Sequence, residues 1–200
     1  MYFEKNKYDF VSRIHLEKSD NKAIHKILTY LYTNKISITI KTIESLLICA
    51  QELDLKLLVK LFENYLKKFD AKCSLFFLQI AKNCNLKGLY YQLFWYVINN
   101  LNECIKSTYF TEIEPSLLLD ILANKSNSNR DETHIFERIL KWIYANEKQS
   151  KNNVLDVLEE VDFRKVCLND FERILVQNNF VFKKRGCSDF FRRKIKYLSS

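Results

Sequence analysis

LTYLYTNKISIT (28–39), followed at once by IESLLICAQELDLKLLVKLFENYL (43–66), decides how this chain is read. Ile24, Ile27, Leu28 and Leu31 repeat at helical spacing and end in Tyr30, Leu31, Tyr32 and Thr33, where a short basic turn follows. Ile43, Leu46, Leu47, Ala50 and Leu53 mark a second helix. Leu57, Leu58, Leu61, Phe62, Tyr65 and Leu66 mark a third. Helices this short with brief links predict a compact, bundle-like array.

The same period runs outward to both ends. Residues 11–17 (VSRIHLE) alternate imperfectly and predict at most one short strand. Around Asp70, Ala71 and Lys72 the apolar pattern pauses, which places a domain boundary there and divides the chain into 1–69 and 70–198. Beyond it come a helix pair (Leu75 to Cys84, Leu86 to Leu101) and EPSLLLDILAN (114–124), with Pro115 in a first helical turn. The polar loop NKSNSNRDE (124–132) follows. THIFERILKWIYAN (133–146) then presents a wide apolar face of Ile135, Phe136, Ile139, Leu140, Trp142 and Ile143. Two more helices are expected near 153–161 and 168–177.

Composition agrees with a helical reading. Apolar residues make up 48% and charged residues 28%, the balance of a globular rather than a disordered chain. One Pro and two Gly stand where average usage gives about ten and about fourteen, too few for β-rich folds or glycine-cradled nucleotide sites. The expected class is all-α. No run approaches the ~18 apolar residues of a membrane span, and MYFEKNKYDF lacks the apolar centre of a signal peptide. A cytoplasmic location is therefore expected. The six cysteines form no CxxC and several fall in apolar stripes, so neither disulfides nor a structural zinc is expected.

Of the formal charge of +8, residues 183–200 hold a net +6. Lys183, Lys184, Arg185, Arg192, Arg193 and Lys194 form a candidate basic patch for phosphates or acidic partners. Against it, Cys187, Phe190, Phe191, Ile195 and Leu198 share one helical face, which reads as a docked last helix with a solvated basic side.

The opening stretch, 28–66, resembles the second half of a BTB/POZ domain. LANKSNSNRDETHIFERILKWI (122–143) resembles the signature of the BACK domain that follows BTB in kelch-like proteins: a helix end, an acidic residue and Glu, Phe, then an apolar residue, a basic residue, Trp and Ile. Cys73 with Leu75 or Leu78 matches that domain's Asn, Cys, Leu start less closely, since Lys72 and Ser74 depart from it. The two resemblances, in this order, cover about 1–198. Met1 stands just before YFEK (2–5), similar to a YF late in the first half of a BTB domain, so the family's dimerisation helix is expected to be missing. The glycine pairs and aromatic-glycine repeats of kelch blades are absent. The richness in Lys, Ile and Asn (18 Asn) resembles proteins of A+T-rich genomes, poxviral kelch-like proteins among them, which would place this one in a host-cell cytoplasm.

The resemblance implies a protein-interaction module of the kind that serves as substrate adaptor for cullin-3 ubiquitin ligases, in truncated or decoy form, with no enzymatic activity and no cofactor. The family's cullin motif, apolar residue, any residue, Glu, falls on Val11, Ser12 and Arg13; Arg13 reverses the expected charge and weakens that contact, and Glu17 replaces it only in a shifted register. Tyr32, Thr33, Asn34 and Lys35 are further cullin-facing candidates, although Tyr30 and Tyr32 also suit core packing with bonded hydroxyls. Other BTB proteins and a second copy of the chain are also expected partners, because helices 22–66 pack in the family against the missing half and leave an apolar patch. An inactive fragment of a longer kelch-like gene, and a nucleic-acid-binding helical protein using the basic segment, are the alternatives. His15, His25 and His134 stand far apart, no HExxH, GxSxG or GxxxxGK[ST] occurs, and Cys49 near His25 forms no recognisable nucleophile-base pair. Glu132 beside His134 is explained by the dipole at a helix start.

Overall fold

Residues 16–147 and 153–198 are described by the computed structural model. They form eleven α-helices and three short 3-10 segments with no strand among the described residues, so the all-α expectation holds. Most of the expected strand at 11–17 lies outside the described residues, and Leu16 and Glu17 are not in one. The chain divides into two compact units, one holding 16–68 with Asn83–Asn85, the other Phe69–Lys82 with the residues from Leu86 on.

In the first unit, α1 (Asn21–Thr33), α2 (Ile43–Glu52) and α3 (Lys56–Leu66) succeed one another, and α2 packs on both its neighbours. Their core is Ala23, Ile27, Ile43, Leu46, Leu47, Leu58, Phe62 and Leu66, all within 3% of full burial. Asp20 caps α1 by accepting from Ala23 N–H at 2.7 Å. Asn34 ends it in the left-handed conformation (φ 56°) and donates its N–H to Tyr30 O at 2.7 Å, a cap that asparagine tolerates better than most side chains. Asp54 makes the same left-handed turn between α2 and α3. Residues 83–85 join this unit through Asn83 Nδ2 donating to Glu44 Oε1 (2.9 Å) and Gln51 Nε2 to Cys84 O (2.9 Å).

The segment before α1 is held by one carboxylate. Glu52 accepts from Glu17 N–H at 3.1 Å, Lys18 N–H at 2.9 Å and the Ser19 hydroxyl. The Ser19 hydroxyl, and then the Lys18 and Glu17 amides, hold the Glu52 carboxyl below its ordinary value of 4.5. The Ala23 amide, then the Ser45 hydroxyl, hold Asp20 below 3.8. Both groups bind a proton more readily in the unfolded chain. Their stabilisation is therefore complete above those ordinary values and disappears as pH falls through the folded ones. In Asp20→Asn/Glu52→Gln the loss of thermal stability between about pH 5 and about pH 3 should be smaller than in the parent. Identical slopes in a calorimetric pH series would show that these two carboxylates do not control acid unfolding.

The second unit is built around α8. In order it holds α4 (Ser74–Asn83, whose last residue belongs to the first unit), α5 (Lys87–Asn99), α6 (Leu101–Cys104), a 3-10 turn at Thr108–Glu112, α7 (Pro115–Ala123) and α8 (Glu132–Ala145). After these come α9 (Val154–Glu159), a 3-10 turn at Phe163–Lys165, α10 (Leu168–Gln177), a 3-10 turn at Asn179–Lys183 and α11 (Cys187–Leu198). Every residue of the expected α8 face is fully buried. Trp142 donates Nε1–H to Ile113 O at 2.9 Å, so the indole is satisfied inside the core. Gly186 (φ +78°) opens α11 where an added Cβ would stand 2.9 Å from Leu155 Cδ1. The expected single helix to Leu101 breaks at Asn100, which caps α5 and begins the separate turn α6.

The polar run 124–132 is a loop, yet its end is buried. Arg130 and Glu132 have side chains 2% exposed, with Arg130 Nε 2.9 Å from Glu132 Oε1. Arg130 Nη1 donates to Leu122 O (2.8 Å) and Asn124 O (2.9 Å), and Glu132 Oε2 accepts from Asp162 N–H (3.1 Å). Glu132 is thus half of an internal ion pair as well as a helix-start carboxylate, which corrects the simpler dipole reading. The contact at Nε is ionic rather than a well-aligned hydrogen bond, since Nε and Nη2 lack a hydrogen-bond partner.

Candidate protein-docking surface

Helix α1 is wider in its apolar character than its burial requires. Ala23 and Ile27 face the core, whereas Leu28 and Leu31 are 46% and 53% exposed and Tyr32 is 89% exposed. On α3, Leu58, Phe62 and Leu66 are buried while Leu57 is 83% and Leu61 38% exposed. Large apolar side chains kept in water along helix edges mark a surface suited to another protein. Tyr32 is not a core residue, which overturns the packing alternative for it; Tyr30 is half-buried. Asn34 and Lys35 are exposed at the end of α1, with Lys35 N–H donating to Thr33 Oγ1 at 3.3 Å. Val11 and Arg13 lie outside the described residues.

The basic segment is dispersed rather than gathered into a single patch. Lys184 Nζ pairs with Glu147 Oε1 at 2.6 Å, and Arg192 stands 3.8 Å from Asp189. Lys194 Nζ lies over the rings of Phe163 and Phe190, at 5.0 and 5.2 Å. Lys183, Arg185 and Arg193 are exposed. Cys187, Phe190 and Phe191 are buried beneath them, as a docked helix requires.

Among the described residues no three of His, Cys, Asp or Glu come close enough to hold a metal ion, and the six cysteines are unpaired. Burial raises the Cys49 thiol and pushes that of Cys84 up to about 12, so both stay protonated at neutral pH. No helix among the described residues is long and apolar enough to cross a membrane.

A helical scaffold that presents apolar side chains to solvent has the character of a docking module. Residues 74–181 match the family model described as BACK, BTB And C-terminal Kelch, and residues 1–70 match that of the BTB/POZ domain. The chain belongs to the BTB-BACK family of kelch-like proteins. It is 22% identical to Kelch-like protein 28 of Homo sapiens over 187 residues, 93% of this chain and 33% of that protein. It is 25% identical to Kelch-like protein 40 of Xenopus laevis over 150 residues, 74% and 24% of the two chains. To Kelch-like protein 8 of Caenorhabditis elegans it is 23% identical over 189 residues, 88% and 26%. The chain spans about a third of the length of the curated relatives it matches, or less.

Proposed function

We propose that this chain is a protein-interaction adaptor rather than an enzyme, with a BTB part over 1–69 and a BACK part over 70–198, acting in the cytoplasm. Its partner on the first unit is the N-terminal domain of cullin-3 or another BTB protein, and a second copy of the chain competes for the same surface. Family membership supports the class of function. The single observation that carries the surface is Tyr32, nearly fully exposed at the end of α1 and flanked by the exposed Leu28 and Leu31. An aromatic anchor beside aliphatic neighbours is the composition of an interface hot spot. A decoy role, occupying a partner without delivering substrate, fits the same surface, and a poxviral origin rests on the richness in Lys, Ile and Asn alone.

The test is a titration of the purified chain with the cullin-3 N-terminal domain by calorimetry, with light scattering to follow self-association. Binding should weaken by about 2 kcal/mol in Tyr32→Ala and comparably in Leu57→Asp, and should strengthen in Arg13→Glu, which restores the acidic residue of the family motif. Absence of binding at tens of micromolar by both the parent chain and Arg13→Glu would remove cullin-3 as the partner.

A further inference from the structure

We infer that the solvent face of α3 in the first unit docks an acidic amphipathic helix of a partner protein. The inference rests on the reading of that unit as a docking module and names the chemistry of what it holds. Leu58, Phe62 and Leu66 turn one side of α3 to the core, and the opposite side carries two parallel strips. At about 100° per residue, Lys56, Lys60 and Lys67 fall within about 40° of one another, with Asn64, Leu57 and Leu61 spread over about 60° beside them. Lys67 is the C-cap and keeps right-handed helical backbone angles, so it continues the lysine row. All six are exposed, Leu57 at 83% and Leu61 at 38%, and the exposed Lys68 follows at the helix end. The cations outnumber the acids near them. Lys56 stands 3.9 Å from Asp54 with both side chains largely in water, a pair that holds little energy. Lys60, Lys67 and Lys68 make no ion pair among the described residues, and Glu63, the one carboxylate within α3, is half-buried and pairs with none of them.

A second helix fits both strips at once. Lys56 and Lys60, like Leu57 and Leu61, stand about one turn apart, and side chains at i and i+4 of a partner helix repeat at the same pitch. Laid along α3, such a helix sets an apolar strip on Leu57 and Leu61 while an acidic strip beside it meets Lys56, Lys60 and Lys67. That helix comes from another protein, because α9, a short acidic helix of this chain, has Val154, Val157 and Leu158 buried in its own core. An anionic bilayer matches less well. Helices that lie on membranes sink a broad apolar face between their cations, whereas the apolar strip here is two leucines with Asn64 beside them.

Fluorescence anisotropy with the full chain tests it, using a labelled alanine-based helical peptide of about eighteen residues that carries one Glu strip and one Leu strip at i, i+4 spacing. Its Gln counterpart and vesicles containing phosphatidylserine are the comparisons. The Glu peptide should bind at low salt and the Gln peptide should not. Affinity should fall roughly tenfold or more in Lys60→Glu/Lys67→Glu and about fivefold in Leu57→Ser, which removes an exposed side chain. It should change less than about twofold in Lys183→Glu/Arg185→Glu, the same charge change in the second unit. Lys60→Gln/Lys67→Gln, with folding checked by circular dichroism, replaces the first variant if it fails to fold and should still weaken binding. Glu-peptide binding by a chain that does not bind the cullin-3 N-terminal domain would support this inference while removing cullin-3, and cullin-3 binding without Glu-peptide binding would overturn this inference alone. Equal loss in the two charge-reversed variants, or vesicles that capture the chain and displace the peptide, would also overturn it.

Discussion

Glu132→Ala should unfold at a much lower urea concentration than the parent, a loss of about 3 to 5 kcal/mol. The reason is what stays behind. Arg130 is 6% exposed, and its guanidinium would be left inside the protein with only the Leu122 and Asn124 carbonyls for company. Asp162 N–H would also lose its acceptor, which adds the cost of an unmet backbone donor, about 1 kcal/mol or more. Removing both charges is a different matter. In Arg130→Met/Glu132→Leu no buried ion remains, so the double variant should recover a large part of the loss and be more stable than Glu132→Ala alone. Equilibrium urea unfolding of the three proteins checks this. A double variant that is less stable than Glu132→Ala would mean that the hydrogen bonds to the three backbone groups outweigh the ion pair.

The contrast between Glu132 and Phe136 shows what the chain discloses before it is folded. Helix positions were legible because an apolar face must recur every three to four residues, and α1, α2, α3, α7, α8, α10 and α11 all announce themselves that way. The six apolar residues expected on the face of α8 are all buried, and Glu132 at its start is buried with them. Periodicity marks a face but not its width. Leu28, Leu31 and Leu57 sit on apolar stripes yet remain in water, because their burial depends on which neighbour is present at the stripe's edge. The Arg130 and Glu132 pair was hidden for the opposite reason: a polar run with Asn, Ser and Asp reads as solvated loop, and only the carbonyls at the end of α7 and the Asp162 amide, 30 residues on, draw its last charges inward. A cation and an acid two residues apart at the start of a strongly apolar helix was the available signal. At the candidate surface, an aromatic ring with a hydroxyl favoured core packing for Tyr32, yet it stands 89% exposed two residues before the left-handed cap at Asn34.

Phe136→Ala should be the second severe lesion, at about 3 to 5 kcal/mol. Phe136 is fully buried and its ring touches three others from three different elements: Phe163 at 5.3 Å edge-on, Phe171 at 5.4 Å stacked and Phe191 at 6.1 Å. Phe163 and Phe171 also meet each other at 5.6 Å, and Phe171 meets Phe191 at 6.1 Å, so the cavity would open in the centre of a ring cluster that ties α8 to the 163–165 turn, α10 and α11. Aromatic geometry contributes about 0.5 to 1.5 kcal/mol per pair beyond burial, and Phe136 takes part in three such pairs. Phe136→Leu keeps most of the volume and should cost about half as much or less. The loss also has a location. Because α11 reaches the core through Phe190 and Phe191, which meet at 5.2 Å, amide hydrogen exchange in Phe136→Ala should accelerate across 132–145 and 187–198 more than across 21–66. Uniform acceleration along the chain would show instead that the two units open together, and that the ring cluster is a shared rather than a local support.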